Sequence, residues 1–125
     1  MSQMVSTRKL SFKAGADLSN NIYYLVKLDA SGNVVLATDN APVIGVLHNK
    51  PKSGETASVC IGETSKVVAG GDVVIGDELI SDANGKAVKV PATAGEYNII
   101  GIALENGSDG TVIEVLLRPY TKTVA

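Results

Sequence analysis

The reading of the fold starts from Pro42-Val43-Ile44-Gly45-Val46-Leu47-His48-Asn49-Lys50-Pro51-Lys52-Ser53-Gly54-Glu55-Thr56-Ala57-Ser58-Val59-Cys60-Ile61. It reads as a short apolar strand, a polar turn and a second strand, and it recurs. Ile99-Ile100-Gly101-Ile102 repeats Val43-Ile44-Gly45-Val46, and Gly110 to Leu117 repeats Gly54 to Ile61. Gly45 and Gly101, Gly54 and Gly110, and Val59 and Val115 each stand 56 positions apart. A fixed offset across three landmarks marks an internal duplication, which governs the architecture of any chain that carries one.

The duplication extends toward the N-terminus. Ala14-Gly15-Ala16-Asp17 matches Ala69-Gly70-Gly71-Asp72 at an offset of 55, and Asp29-Ala30-Ser31-Gly32 matches Asp82-Ala83-Asn84-Gly85 at 53. The offset changes by loop-sized steps, as it does when strands are kept and turns vary. Two units result, about 12–63 and 67–118. Each runs strand, Ala-Gly turn, strand, Asp-x-x-Gly hairpin, strand, Ile-Gly strand and a last strand opened by glycine. Neither unit is long enough to close a core alone, so the expectation is two β units packed into one barrel or sandwich.

Composition agrees with an all-β fold with little or no helix. Val and Ile total 25 against 10 Leu, and 13 glycines punctuate the chain; β-branched side chains pack well on a pleated sheet and lose rotamer freedom in a helix. No glycine- and proline-free window holds the helical spacing of apolar residues. The strands read as Leu10–Ala14, Ile22–Leu28, Val34–Ala37, Val43–Leu47, Thr56–Ile61, Lys66–Ala69, Val73–Val74, Leu79–Ile80, Lys86–Val90, Tyr97–Leu104 and Thr111–Leu117. Residues 1–11 form an N-terminal arm, 12–118 a single β domain, and 119–125 a tail beyond the ladder stop at Pro119.

A net charge of −2 argues against a general nucleic-acid binder, which needs a basic face to displace counterions. One cysteine, Cys60, excludes an internal disulfide, and with the single His48 it falls short of a four-ligand zinc site of those residue types. Apolar runs stay far below the ~20 residues of a membrane-spanning helix. The N-terminus lacks the apolar core and cleavage site of a secretory signal, so synthesis in the cytoplasm is expected.

No motif carries catalysis. Asp29, Asp39, Asp72, Asp77, Asp82 and Asp109 sit in turns, where aspartate bonds its own backbone. Glu63 and Glu114 read as solvent-facing strand positions. Cys60, between Val59 and Ile61, reads as a small buried apolar residue. His48 has no placed nucleophile or acid, and no phosphate-binding loop or Gly-x-Ser-x-Gly is present. Glu63-Thr64-Ser65-Lys66-Val67 resembles in part the lysine hairpin of biotinyl and lipoyl carrier domains, themselves two β units. Ser65 replaces the methionine before a biotinylated lysine, and no aspartate precedes Lys66.

Across residues 12–118 the chain resembles the small phage capsid decoration (cement) proteins, a family once filed as a domain of unknown function and labelled recombinase-like. The residues are Ala14-Gly15-Ala16-Asp17, Val43-Ile44-Gly45-Val46, Gly54-Glu55-Thr56-Ala57-Ser58-Val59, Ala69-Gly70-Gly71-Asp72, Gly76-Asp77-Glu78-Leu79, Ser81-Asp82-Ala83-Asn84-Gly85-Lys86-Ala87 and Ile100-Gly101-Ile102-Ala103-Leu104-Glu105. The resemblance implies a compact β-tulip-like domain without catalysis or cofactor. It implies a homotrimer on the outside of an expanded phage head, bound to the major capsid protein at three-fold or quasi-three-fold sites and stabilising the shell against internal DNA pressure. Decoration proteins often touch the capsid through an N-terminal arm, which makes Ser2, Gln3, Met4, Val5, Ser6, Thr7, Arg8, Lys9 and Leu10 the candidate contacts. The alternatives are a carrier or binding module modified at Lys66, and another virion part such as a head fibre base or a tail ornament.

Overall fold

A computed structural model describes residues 8–125. Ten strands follow in order: β1 (Arg8–Lys13), β2 (Leu25–Leu28), β3 (Val34–Leu36), β4 (Gly45–Leu47), β5 (Thr56–Gly62), β6 (Thr64–Val68), β7 (Glu78–Ser81), β8 (Ala87–Lys89), β9 (Gly95–Ala103) and β10 (Val112–Val124). There is no helix among the described residues. The strands form two antiparallel five-stranded sheets, ordered β1-β5-β4-β2-β3 and β6-β10-β9-β7-β8. Adding five to each label of the first sheet gives the second, so the duplication is architectural and each sheet is one unit.

The two units share their backbone bonding in detail. Asp29 Oδ1 accepts the N–H groups of Ser31 and Asn33, and Asp82 Oδ1 those of Asn84 and Lys86. Gly32 and Gly85 close these turns at φ of 80° and 78°, a left-handed conformation that costs glycine little. At Gly45 and Gly101 the reason for glycine is close approach. A Cβ at Gly45 would stand 2.3 Å from the Cys60 carbonyl oxygen, and one at Gly101 2.0 Å from that of Leu116. Backbone cannot move aside as a side chain can, so these two positions admit no larger residue.

Each unit curls until its third strand meets the end of its first. Ala14 bridges Val34 in parallel and Ala69 bridges Ala87. Unit 1 thereby encloses Ala14, Leu18, Val26, Val34, Leu47, Ala57 and Val59, all buried, with Phe12, Leu36, Ile44 and Ile61 against them. It therefore closes a core of its own, contrary to the expectation from its length. The small Ala14 lets the ends approach, and Leu18 plugs the interior. The corresponding residues of unit 2, Ala69, Val73, Leu79, Ala87, Ala103, Ile113 and Val115, lie in the second cluster. Volumes are traded between the units: Leu47 and Ala57 on facing strands of unit 1 become Ala103 and Ile113 in unit 2.

The second cluster also contains Leu25, Val46 and Cys60 from the opposite face of unit 1. This seam joins the units. Gly85, at the tip of the unit 2 hairpin, accepts the Leu25 N–H at 2.7 Å, Ser81 accepts that of Asn40 at 2.9 Å, and Tyr23 accepts that of Val68 at 3.0 Å. Asn40 adds a stitch to β9, donating to Glu96 and accepting from Asn98.

Several boundaries differ from the sequence reading, and four of the differences change which residues the sheets include or expose. The first strand begins at Arg8, so Arg8 to Ser11 belong to the sheet rather than to an arm ahead of it. The Ile22 strand starts only at Leu25, because Tyr23 has φ 70°, where its counterpart Gly76 has 91°. Val73 makes an isolated bridge with Gly107 and no strand. Pro119 does not end the ladder: a register shift between Leu117 and Tyr120 absorbs it, and β10 continues to Val124 beside Gly95–Ile99.

Candidate functional site

The side chains singled out for chemistry are held in structural roles. His48 Nε2 lies 2.8 Å from Ser65 Oγ, and its ring meets Tyr23 edge-on at 5.7 Å between centroids. Ser65 Oγ donates its one proton to the Lys66 carbonyl at 3.0 Å, so it accepts from His48. His48 therefore carries a proton on Nε2. Burial, and then the charge of Lys9, lower its pKa below the ordinary value. A catalytic dyad needs the reverse, a histidine accepting from an exposed hydroxyl. Here Ser65 is buried in the seam and the pair ties the units together.

Cys60 is fully buried and its thiol donates to the Gly62 carbonyl at 3.1 Å. Lys66 is exposed in mid-strand, opposite Glu114. The chain from β5 to β6 passes from one sheet to the other and makes no hairpin there, so Lys66 is not displayed on a turn as a carrier lysine is. The acids follow the turn reading where their bonds are seen. Asp77 accepts the Val74 N–H, and Asp17 is held below the ordinary carboxylate range by hydrogen bonds from Ser19. No group of three or more His, Cys, Asp or Glu is placed to hold a metal among the described residues.

Two hollows occur at the seam. One, of about 30 Å³, is apolar and lined by Leu25, Val46, Ile100 and Leu117 among others. It holds roughly a single water at most. The other, about 250 Å³, is an open groove between Pro42-Val43 and the β9–β10 ribbon at Asn98, Tyr120 and Thr121. Neither has convergent charged groups.

The surfaces are more informative. β1 is an edge strand with Arg8, Lys9, Leu10 and Lys13 exposed, and charged side chains of this kind keep an edge from pairing indiscriminately. Of the candidate arm residues, Ser2 to Thr7 lie outside the described residues; Arg8, Lys9 and Leu10 are the first half of β1. At the other end, the β9–β10 ribbon carries Tyr120 and Lys122, whose hydroxyl and ammonium both bond Glu78. These bonds hold the Glu78 carboxyl below its ordinary range. Large apolar side chains are exposed at Leu10, Leu28, Val74, Ile75, Leu104 and Val112. The sequence reading did not single out the last five. Their signal was available, since in unit 1 the positions matching Val74, Leu104 and Val112 are the polar Asn21, His48 and Thr56.

The described residues thus form an all-β, duplicated domain whose histidine and cysteine are engaged internally and whose surface exposes several large apolar side chains. The chain belongs to the phage cement protein family, whose model matches residues 20–119, and it is a structural protein of the phage virion. The crystal structure of the head fibre gp8.5 N base of bacteriophage phi29 shares the fold, with a TM-score of 0.67 over 89% of this chain and 95% of that one, at 22% identity. No curated protein matches the chain.

Proposed function

We propose that this protein is a capsid cement that binds the outer surface of the expanded phage head, as a homotrimer on the major capsid protein at three-fold or quasi-three-fold sites. The observation that carries the reading is the cement-family match over residues 20–119 of one continuous two-unit β domain. A virion component needs surfaces rather than an active site, and the side chains with chemical potential are engaged internally while apolar ones face out.

The mechanism is linkage. Packaged DNA strains the joints between capsomers. A ligand that binds only the assembled shell stabilises it by RT ln(1 + [L]/Kd), about 2.7 kcal/mol per site at one hundred times Kd. Several contacts on one oligomer bind with avidity, so each can be weak. In this reading residues 2–7, which precede the exposed β1 edge in the sequence, form the capsid-contact segment together with Arg8, Lys9 and Leu10.

Co-sedimentation with undecorated expanded heads tests it. Saturable binding is expected, and the absence of binding at micromolar protein would remove the reading. Deleting residues 2–7, which leaves β1 whole, is expected to weaken binding at least tenfold with unchanged circular dichroism; full binding by the deletion would exclude the arm. The fold shared with a head fibre base favours a second reading, a base from which a fibre extends. Imaging of intact particles separates the two by the presence of a projecting fibre.

A further inference from the structure

The duplication supplies an internal control. A contact made between the units within one chain has a counterpart position in each unit that the fold leaves open, and these open positions can be compared with the closed ones. In the seam, one face of unit 1 receives unit 2. Leu25, Val46 and Cys60 of that face are fully buried. Their counterparts on unit 2, Glu78, Ile102 and Leu116, form the same cross-strand row and are only partly buried. On the receiving side the contrast is the same. Gly85 is buried against the backbone of Leu25 and Ala37, whereas Gly32, in the same turn at nearly the same φ, has nothing within 4 Å of an added Cβ.

The side chains at the open positions are not neutral copies. Within the chain, His48 of unit 1 meets Ser65 of unit 2. The counterpart of His48 is Leu104 and that of Ser65 is Leu10. These two leucines are 42% and 48% exposed. Leu28, beside the free hairpin, is 39% exposed, while its counterpart Ser81 is fully buried in the seam. Val112, at the position of Thr56, widens the apolar face around Leu104. A polar pair inside the chain is thus matched by two exposed leucines on complementary open faces.

We propose that the face formed by β7, β9 and β10 binds a second copy of this chain, head to tail, through that copy's β1 and its Asp29–Gly32 hairpin. The contact repeats between chains the one that joins the units within a chain, with Leu104 of one copy against Leu10 of the next. The open pair is apolar because it must hold without a covalent tether, and apolar burial is non-directional and strong. The occupant is another copy because only it presents the surface that this face, in its unit 1 form, is already built to receive. A head-to-tail interface uses two different patches, so it closes into a ring when the rotation allows. This gives the oligomer of the proposed function a specific interface, but it rests on the duplication and stands or falls separately from capsid binding.

The test is oligomeric mass in solution by analytical ultracentrifugation, from micromolar to near-millimolar protein. The wild-type chain is expected to associate, and L104K and L10E, both at exposed positions, to run as monomers with unchanged circular dichroism. Mixing the two variants is the decisive step. L104K keeps an intact β1 and L10E an intact β9–β10 face, so the mixture is expected to form a one-to-one dimer through the single remaining native contact. If either substitution perturbs the spectrum, L104A and L10A replace them, with a loss of association of at least tenfold expected. A wild-type monomer throughout, single variants that associate as wild type, or a mixture that stays monomeric would each overturn the proposal. Head binding keeps the two questions apart, since a wild-type chain that stays monomeric and still decorates heads would refute this interface and leave the capsid reading intact.

Discussion

Gly45 opens β4 and Gly54 lies in the turn before β5, and different physics holds them. A Cβ at Gly45 would strike the Cys60 carbonyl, while Gly54 has φ 85° and open space around it. Gly45→Ala is therefore expected to cost ~3 kcal/mol, as overpacking against backbone does. Gly54→Ala is expected to cost only the left-handed penalty of about 1–2 kcal/mol. Urea denaturation of the two variants checks the order, and equal losses would show that backbone contact is not what selects Gly45. His48 gives a second residue-scale expectation. Burial lowers its folded pKa below the ordinary histidine value of about 6.5. As pH falls through that value the unfolded chain takes up a proton that the folded chain resists, so stability declines until the folded group also titrates. His48→Gln keeps an N–H for Ser65 and removes the titration. The wild-type minus variant stability should fall between neutral pH and the lowered folded pKa; a flat difference would contradict the lowered pKa. The recurrence of Gly45 as Gly101 was legible in the sequence. The seam role of His48 was not, because Ser65 is 17 positions away and in another sheet.

At the scale of elements, the traded volumes of the two interiors make a quantitative expectation. Leu47→Ala should cost ~3 kcal/mol by opening a cavity in the unit 1 core. Adding Ala57→Ile reproduces the Ala103 and Ile113 arrangement of unit 2 and should recover more than half of the loss. Calorimetry on the single and double variants checks it, and additive losses would mean that the interiors are not interchangeable. β10 shows where sequence reasoning stopped short. A proline removes a ladder donor, so sequence alone ends the strand at Pro119. The irregularity between Leu117 and Tyr120 accommodates it, and the ribbon beyond belongs to neither core cluster. Removing residues 121–125 is accordingly expected to lower stability by under about 1 kcal/mol, since surface changes away from packed groups cost little. The start of β2 is hidden in the sequence for a related reason. Tyr23 holds a conformation that its counterpart Gly76 would have advertised, and tyrosine gave no such sign.

For the whole molecule, the repeated offset carried most of the fold: two units, all β, with the second sheet repeating the strand order of the first. What periodicity alone leaves open is which face of each unit is covered. Cys60 and Leu116 are both apolar strand residues, yet one is buried in the seam and the other lies on an open face. That difference arises from how the units pack, and it turns a symmetric repeat into an asymmetric molecule with surfaces to spare. The family match places those surfaces in a phage virion component, and the account rests on their use against a capsid. The most direct measurement is cryo-electron microscopy of undecorated expanded heads incubated with the purified protein. Added density is expected on the outer surface at three-fold or quasi-three-fold positions, accommodating a ring of two-unit chains. Heads that stay bare at saturating protein would contradict it.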